Sequence, residues 1–187
     1  TTVDVGRLGD VFEGEFRRGH FRGVATVVVK MLNITTPHAA YFGQKDFQQQ
    51  LVIRRLCHDL HLPIDIVTCP TVRDDDGLAL SSRNVLLDPD QRAAATSLSR
   101  TLNHARDQWQ NGSRDLARLR QEMRDRLESI SEIDLDYATI VDGETLEETC
   151  SAQAALVALV AASVGNIRLI DNLPLDGNTN RPTRIEH

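Results

Sequence analysis

Basic residues are the minority charge in this chain: 21 Lys and Arg stand against 27 Asp and Glu, a formal net charge of −6 over 187 residues. A surface that neutralises a phosphate backbone needs a basic stripe, so nucleic acid is excluded as a partner. Aromatics make up only 4%, which leaves any core to Leu, Ile, Val and Ala. Cysteine is scarce too. Cys57, Cys69 and Cys150 are odd in number and share no metal-type spacing, and they read as reduced thiols in a cytoplasmic protein. The six histidines are scattered without a His-x-x-x-His pair, so no metal-ligand set is expected. No apolar run approaches the ~20 residues that cross a bilayer, and no membrane partner is expected. The chain opens Thr1-Thr2-Val3, with neither methionine nor signal peptide, and so reads as a piece of something longer.

What is present is ordinary for a globular protein: 41% hydrophobic and 26% charged residues, enough for one large domain or two small ones. Thr2–Val5 alternates like the end of a strand. Phe21–Asn33 carries Val24, Val27, Val28, Met31 and Leu32 at the spacing of a helix face, and Pro37 stops it. Ala39–Phe42 is a short apolar run ending at Gly43 and reads as a buried strand. Asp46 opens a second helix to Leu60, with Phe47, Leu51, Leu56 and Leu60 inward. Ile64–Cys69 is another strand. The first seventy residues therefore predict a parallel α/β sheet. Two strands are too few for a sheet covered on both faces, so more of it is expected upstream.

Pro70–Asn84 is polar and acidic, turns at Gly77, and reads as a loop between two domains. Asp88-Pro89 supplies an N-cap with proline at the first helical position, predicting a helix to about Trp109. Ser113 is expected to cap another, with Leu116, Leu119, Met123 and Leu127 on one face. Three strands follow, at Leu135–Val141, Ala154–Ala162 and Ile167–Leu173, with Gly165-Asn166 as a hairpin turn. The second half is thus a smaller α+β domain, two helices on a three-stranded antiparallel sheet. Asn178–His187 reads as a loose tail.

Three places could carry chemistry. Tyr41-Phe42-Gly43-Gln44-Lys45-Asp46 lies at a strand-to-helix junction, where open α/β sheets take ligands. A helix start offers N–H groups and a positive dipole end to an anion, Gly43 allows close approach, and Lys45 adds a full charge. The plainer reading is a turn with a solvated lysine. In Leu80-Ser81-Ser82-Arg83, two hydroxyls beside a guanidinium suit a polyphosphate; the plainer reading is a linker whose serines cap a turn. Gln48-Gln49-Gln50 reads as a set of solvated helix formers.

The combination is more specific than its parts. The runs His20-Phe21-Arg22-Gly23-Val24, Tyr41 to Gln49, Pro70-Thr71-Val72-Arg73 and Asp76 to Asn84 resemble, in order and spacing, those of the pantothenate synthetases. The resemblance is close from Thr2 to Arg92, fades through the two helices and returns weakly at Arg168-Leu169-Ile170-Asp171-Asn172. It implies a remnant of a Rossmann-like parallel sheet at 1–72, the second half of a nucleotide-binding domain, followed by a lid domain at 73–187. It implies that Gly43, Gln44, Lys45 and Asp46 bind ATP with the lysine on its phosphates. By the same resemblance Gln49 contacts pantoate and the backbone of Val72 meets the adenine. Leu80, Ser81, Ser82 and Arg83 then form a flexible phosphate-binding loop, with Leu80 where methionine is also common. His20 and Arg17 are read as structural or peripheral.

The chemistry implied is an ATP- and Mg²⁺-dependent condensation of pantoate with β-alanine through an adenylate. Charge stabilisation comes from Lys45, Ser81, Ser82 and Arg83, and a homodimer is expected to form through residues 1–72. The family's His-x-Gly-His-type motif and its upstream glutamine have no match here, so these 187 residues are expected to be inactive alone. Another adenylyl transferase, or a non-catalytic folding or dimerisation module, remains the alternative.

Overall fold

The computed structural model describes residues 1–151 and 155–176. The expected tail at Asn178–His187 and the first residue of the strand expected from Ala154 lie outside them. The chain divides into two compact units, one spanning Thr1–Pro70 and the next beginning at Thr71.

The first unit is built on a strand–helix–strand crossover. β1 (Ala39–Gly43) and β2 (Asp65–Cys69) pair in parallel, with Ala39 opposite Asp65 and Gly43 opposite Cys69. Parallel neighbours need a crossover, and α3 (Phe47–Asp59) supplies it. A four-residue turn of helix, α1 (Glu13–Phe16), precedes α2 (His20–Thr35). α2 starts after Gly19 in the left-handed region and ends where Thr36 also turns left-handed, its N–H bonded to the Leu32 carbonyl at 2.8 Å. Leu32, Ile53, Cys57, Ile64 and Ile66 form the buried centre, with Val24, Val28 and Phe42 packed on it.

The helix faces differ from expectation in an instructive way. On α2 the buried row is Phe21, Ala25 and Leu32, whereas Val27 and Met31 stay exposed. The valine-rich stretch offered two overlapping rows, and the row through the small Ala25, at spacings of four and seven on one helix face, packs closest. On α3 Leu51 and Leu56 are buried, but Leu60 is exposed because the helix ends at Asp59 and leaves it as the cap; Phe47, in the first turn, is half-buried. Thr2–Val5 is not a strand. The Val3 N–H donates to Thr26 Oγ1, Asp4 pairs with Arg22, and Val3 and Val5 pack by Phe21, so bonds to α2 replace a ladder.

The second unit begins with a tight hairpin, Val72–Leu80, then α4 (Pro89–Gln110), α5 (Leu116–Glu128) and a sheet of order β3-β4-β5. β3 (Ile133–Asp142), β4 (Leu156–Val164) and β5 (Ile167–Pro174) are antiparallel, with a bulge between Leu135 and Tyr137. Leu98, Leu102, Leu119, Met123, Leu127, Ile140 and Val160 fill the layer between helices and sheet. α5 is capped by Asp115, which accepts from the Arg118 N–H, not by Ser113. The aspartate stands three residues before the amide it serves, the reach a cap requires.

α4 begins with a complete capping box: Asp88 accepts from the Gln91 N–H, and the Gln91 side chain accepts from the Asp88 N–H. Asp88→Ala removes one half of it and is expected to cost about 1 kcal/mol. Asp88→Asn should cost a fraction of that, and the difference is measurable by urea denaturation.

Candidate functional site

Gly43 is the last residue of β1, and Gln44–Asp46 form a 3-10 turn that runs into α3. The turn therefore stands at the carboxyl end of a parallel strand and at the amino end of a helix. Both features favour an anion. Gly43 has an ordinary extended backbone, and a Cβ there would meet nothing within 4 Å. The protein's own packing thus does not demand glycine, and the space before it is open. Asp46 is the residue before α3, is exposed, and makes no capping bond with its side chain. Gln49 lies one turn further on and is half-buried.

The glutamines beside it are not solvated. Gln48 and Gln50 are 5% and 3% exposed. Gln48 Oε1 accepts from the Glu13 N–H at 3.1 Å, and its Nε2 donates to the Leu8 and Val11 carbonyls at 2.8 and 2.7 Å. Gln50 accepts from the Thr68 hydroxyl near the end of β2. A buried amide must find such partners, and here it finds them on an irregular segment that has no ladder of its own.

That segment is strained and tightly folded. Phe12 adopts φ 48°, ψ −114°, a conformation that surrounding structure must impose. A Cβ on Gly14 would lie 2.1 Å from the Gly9 carbonyl oxygen, so only glycine fits. The segment leads to Arg17 and His20. Burial, then Arg17, depress the His20 pKa below its usual 6.5, against the opposing pull of Glu13 and Asp46. A depressed histidine binds fewer protons folded than unfolded, so its contribution to stability is present above about pH 6.5 and is lost as pH falls through the folded pKa. An NMR titration of the His20 ring should therefore show its midpoint below 6.5, and His20→Gln should flatten the acid side of the stability profile. A midpoint above 6.5 would contradict this assignment.

In the second unit, the Leu80 N–H donates to the Val72 carbonyl and the Asp74 N–H to the Leu78 carbonyl, each at 2.9 Å. Gly77 turns the tip at φ +88°. Asp76 caps Leu78, and Arg92 bridges Asp74 and Asp76 at 2.7 and 2.8 Å. The Leu78 amide and then Arg92 hold the Asp76 carboxyl below the usual carboxylate range. Val72 and Leu80 are thus exposed cross-hairpin neighbours, not parts of an unstructured loop.

Directly after the hairpin, Ser81 Oγ accepts from the Arg83 N–H and caps a 3-10 turn, Ser82–Leu86. The plainer role of that serine is therefore realised. Arg83 donates through one guanidinium N–H to the Arg168 carbonyl at 2.8 Å, which occupies one of its five donors. Asn84 is buried and donates to the Ala79 carbonyl. Sequence reasoning read Gln48 and Gln50 as solvated and gave Asn84 no role; the bonds that Gln48 and Gln50 make reach residues 18 to 40 positions away, whereas the bond of Asn84 is local.

The parallel strand–helix–strand crossover makes the first unit an α/β fold, a class in which the carboxyl ends of strands are the usual place for ligands. Comparison with known proteins narrows the class. The profile of the family "Pantoate-beta-alanine ligase" matches residues 1–174, and the chain belongs to that family. A pantothenate synthetase of Roseiflexus castenholzii is 49% identical over 176 residues, covering 94% of this chain and 63% of its own length. One from Thermotoga petrophila is 47% identical over 172 residues, 92% of this chain and 61% of the relative. The chain therefore spans somewhat over three-fifths of these relatives. Among solved structures, pantothenate synthetase from Thermus thermophilus superposes with a TM-score of 0.89 at 43% identity, covering 94% of this chain and 63% of that one. A Francisella tularensis pantoate-beta-alanine ligase, complexed with beta-gamma ATP and beta-alanine, matches at 27% identity and a TM-score of 0.66, over 98% of this chain and 60% of its own. The two-stranded parallel and three-stranded antiparallel sheets are the arrangement expected of that fold.

Proposed function

We propose that this chain is the downstream part of an ATP-dependent ligase that condenses (R)-pantoate with β-alanine to give pantothenate. The observation that carries this reading is the family match across residues 1–174. In the reaction a pantoate carboxylate oxygen bonds to the α-phosphorus of ATP and the bond to pyrophosphate breaks. The β-alanine amine then attacks the acyl carbon, its C–O bond to AMP breaks, and the amine proton passes to solvent. No protein nucleophile is required.

The part proposed for each residue is carried over from the family resemblance, and its local geometry is compatible with it. Gly43, Gln44, Lys45 and Asp46 form the strand-end turn that receives the phosphates, with Lys45 as the charge on them. Gln49 orients pantoate, and the Val72 backbone meets the adenine. Ser81, Ser82 and Arg83 supply donors to the charge that develops on the phosphate oxygens. Residues 1–72 act as the second half of the nucleotide-binding domain and 73–187 as the lid that excludes water from the adenylate. The open space before Gly43 and the exposed Asp46 carboxylate fit a magnesium–nucleotide complex, because Mg²⁺ is held by one or two carboxylates plus substrate phosphates rather than by a protein cage. When bound, the ion neutralises phosphate charge. Among the described residues no group of three metal-ligating side chains converges, and that mode of binding requires none. We further propose a cytoplasmic homodimer joined through residues 1–72.

The test joins the portion of the Roseiflexus castenholzii relative that this chain does not cover to residues 1–187. This extended protein should form pantothenate only when ATP, pantoate and β-alanine are all present. Residues 1–187 alone contain no His-x-Gly-His motif and should release no AMP. Equal turnover with unrelated acids or amines would point to another adenylyl transferase.

A further inference from the structure

The run Arg168-Leu169-Ile170-Asp171-Asn172 has no part in the chemistry above, yet the hairpin that leads to Ser81–Arg83 is fastened to it. Arg73, on the incoming arm, grips Asp171 with two bonds of 2.6 and 2.9 Å and donates also to the Gly77 carbonyl at 3.1 Å. Asp171 is 4% exposed and stands opposite Val160 in the sheet, on the helix-covered face. It accepts a third bond from the Asn172 N–H. Three residues earlier on β5, the Arg168 carbonyl receives Arg83. Entry to and exit from the hairpin are therefore pinned to one strand, while Arg92 ties its acidic tip.

Stability does not explain such a pair. Burying two charges carries a desolvation cost that attraction barely offsets, and a well-packed apolar pair commonly serves as well or better. What an apolar pair cannot do is fix direction. A guanidinium fork on a carboxylate sets distance, plane and register together.

We propose that Arg73 and Asp171 are a positioning pair for the ligase reaction, holding the Val72–Leu80 hairpin on β5 so that Ser81, Ser82 and Arg83 meet the nucleotide phosphates in register. The proposal rests on the ligase reading of the previous section. Neither residue touches the reacting atoms; both act through the segment that does.

Two variants test it. Asp171→Asn keeps the volume and removes the charge. Arg73→Met with Asp171→Leu removes both charges, so it leaves no unpaired charge and should fold even if the single variant does not. In residues 1–187 carrying the double change, the Asp74 and Leu80 amides should exchange with solvent at least about tenfold faster, as expected when a local opening loses its restraint. Amides of the β4–β5 ladder should keep their rates. In the extended protein, kcat for pantoate-dependent pyrophosphate release should fall about 10- to 100-fold, the scale of a misplacement near 1 Å. KM for pantoate and the unfolding midpoint should hold. A merely structural pair would instead lower the midpoint and leave kcat of the folded fraction intact. A double variant with unchanged kcat, or with slow hairpin amides, overturns the positioning role. An unsubstituted extended protein that releases no pyrophosphate overturns the ligase reading instead.

Discussion

Lys45→Ala in the extended protein should slow pantoate-dependent pyrophosphate release by two to three orders of magnitude, about 3–4 kcal/mol, the usual worth of one preorganised charge contact to a developing oxyanion. The residue stands in the 3-10 turn between β1 and α3, where strand end and helix start already favour negative charge. Loss of a contact made in the transition state, as proposed for Lys45, should lower kcat further than it raises KM for ATP. Lys45→Arg keeps the charge but changes length and shape, and should recover only part of the rate. A rate within a few-fold of the unsubstituted protein would remove Lys45 from the phosphates.

Gln48→Leu should destabilise the first unit by about 3–5 kcal/mol, because one buried amide satisfies three backbone groups and each unmet group costs about 1–3 kcal/mol. The Glu13 N–H and the Leu8 and Val11 carbonyls lose their partner together. The loss should be compounded at Phe12, whose positive-φ backbone persists only while its neighbours hold it. Urea denaturation followed in residues 1–187 should show an early transition confined to the first unit. Destabilisation under about 1 kcal/mol would mean that water or a rearranged segment serves those groups equally well.

These two residues mark where the sequence was legible and where it was not. The alternation of helix and strand from His20 to Cys69, the Asp88 cap and the Gly165 hairpin each follow from local chemistry, and the structure has all of them. So does the inward face of α5, where Leu116, Leu119, Met123 and Leu127 are all buried. Burial of Gln48 does not follow locally, because nothing in a glutamine triplet tells which member faces a strained loop 35–40 residues away. The α2 face held only in part, with Val24, Val28 and Leu32 on the core but Val27 and Met31 exposed: five apolar residues define more than one stripe, and the choice depends on which neighbour arrives. The bond from Arg83 to the Arg168 carbonyl spans 85 residues, and the Arg73–Asp171 pair spans 98. Spacing rules reach along one element; these contacts join elements, and only the fold brings them together. The roles of Gly43 to Asp46, Gln49 and Ser81 to Arg83 come from resemblance, and the structure supplies their local geometry.

The central claim is that a carboxylate oxygen of pantoate attacks the α-phosphorus of ATP on a protein containing these residues. Isotope transfer reads that step directly. Pantoate labelled with ¹⁸O in its carboxylate is given to the extended protein with ATP and β-alanine, and the AMP is collected for mass spectrometry. Because the amine displaces AMP by breaking the acyl C–O bond, the account predicts one ¹⁸O atom in the phosphate of each AMP formed alongside pantothenate. AMP carrying no label, or label appearing in inorganic phosphate with ADP as the other product, would contradict it.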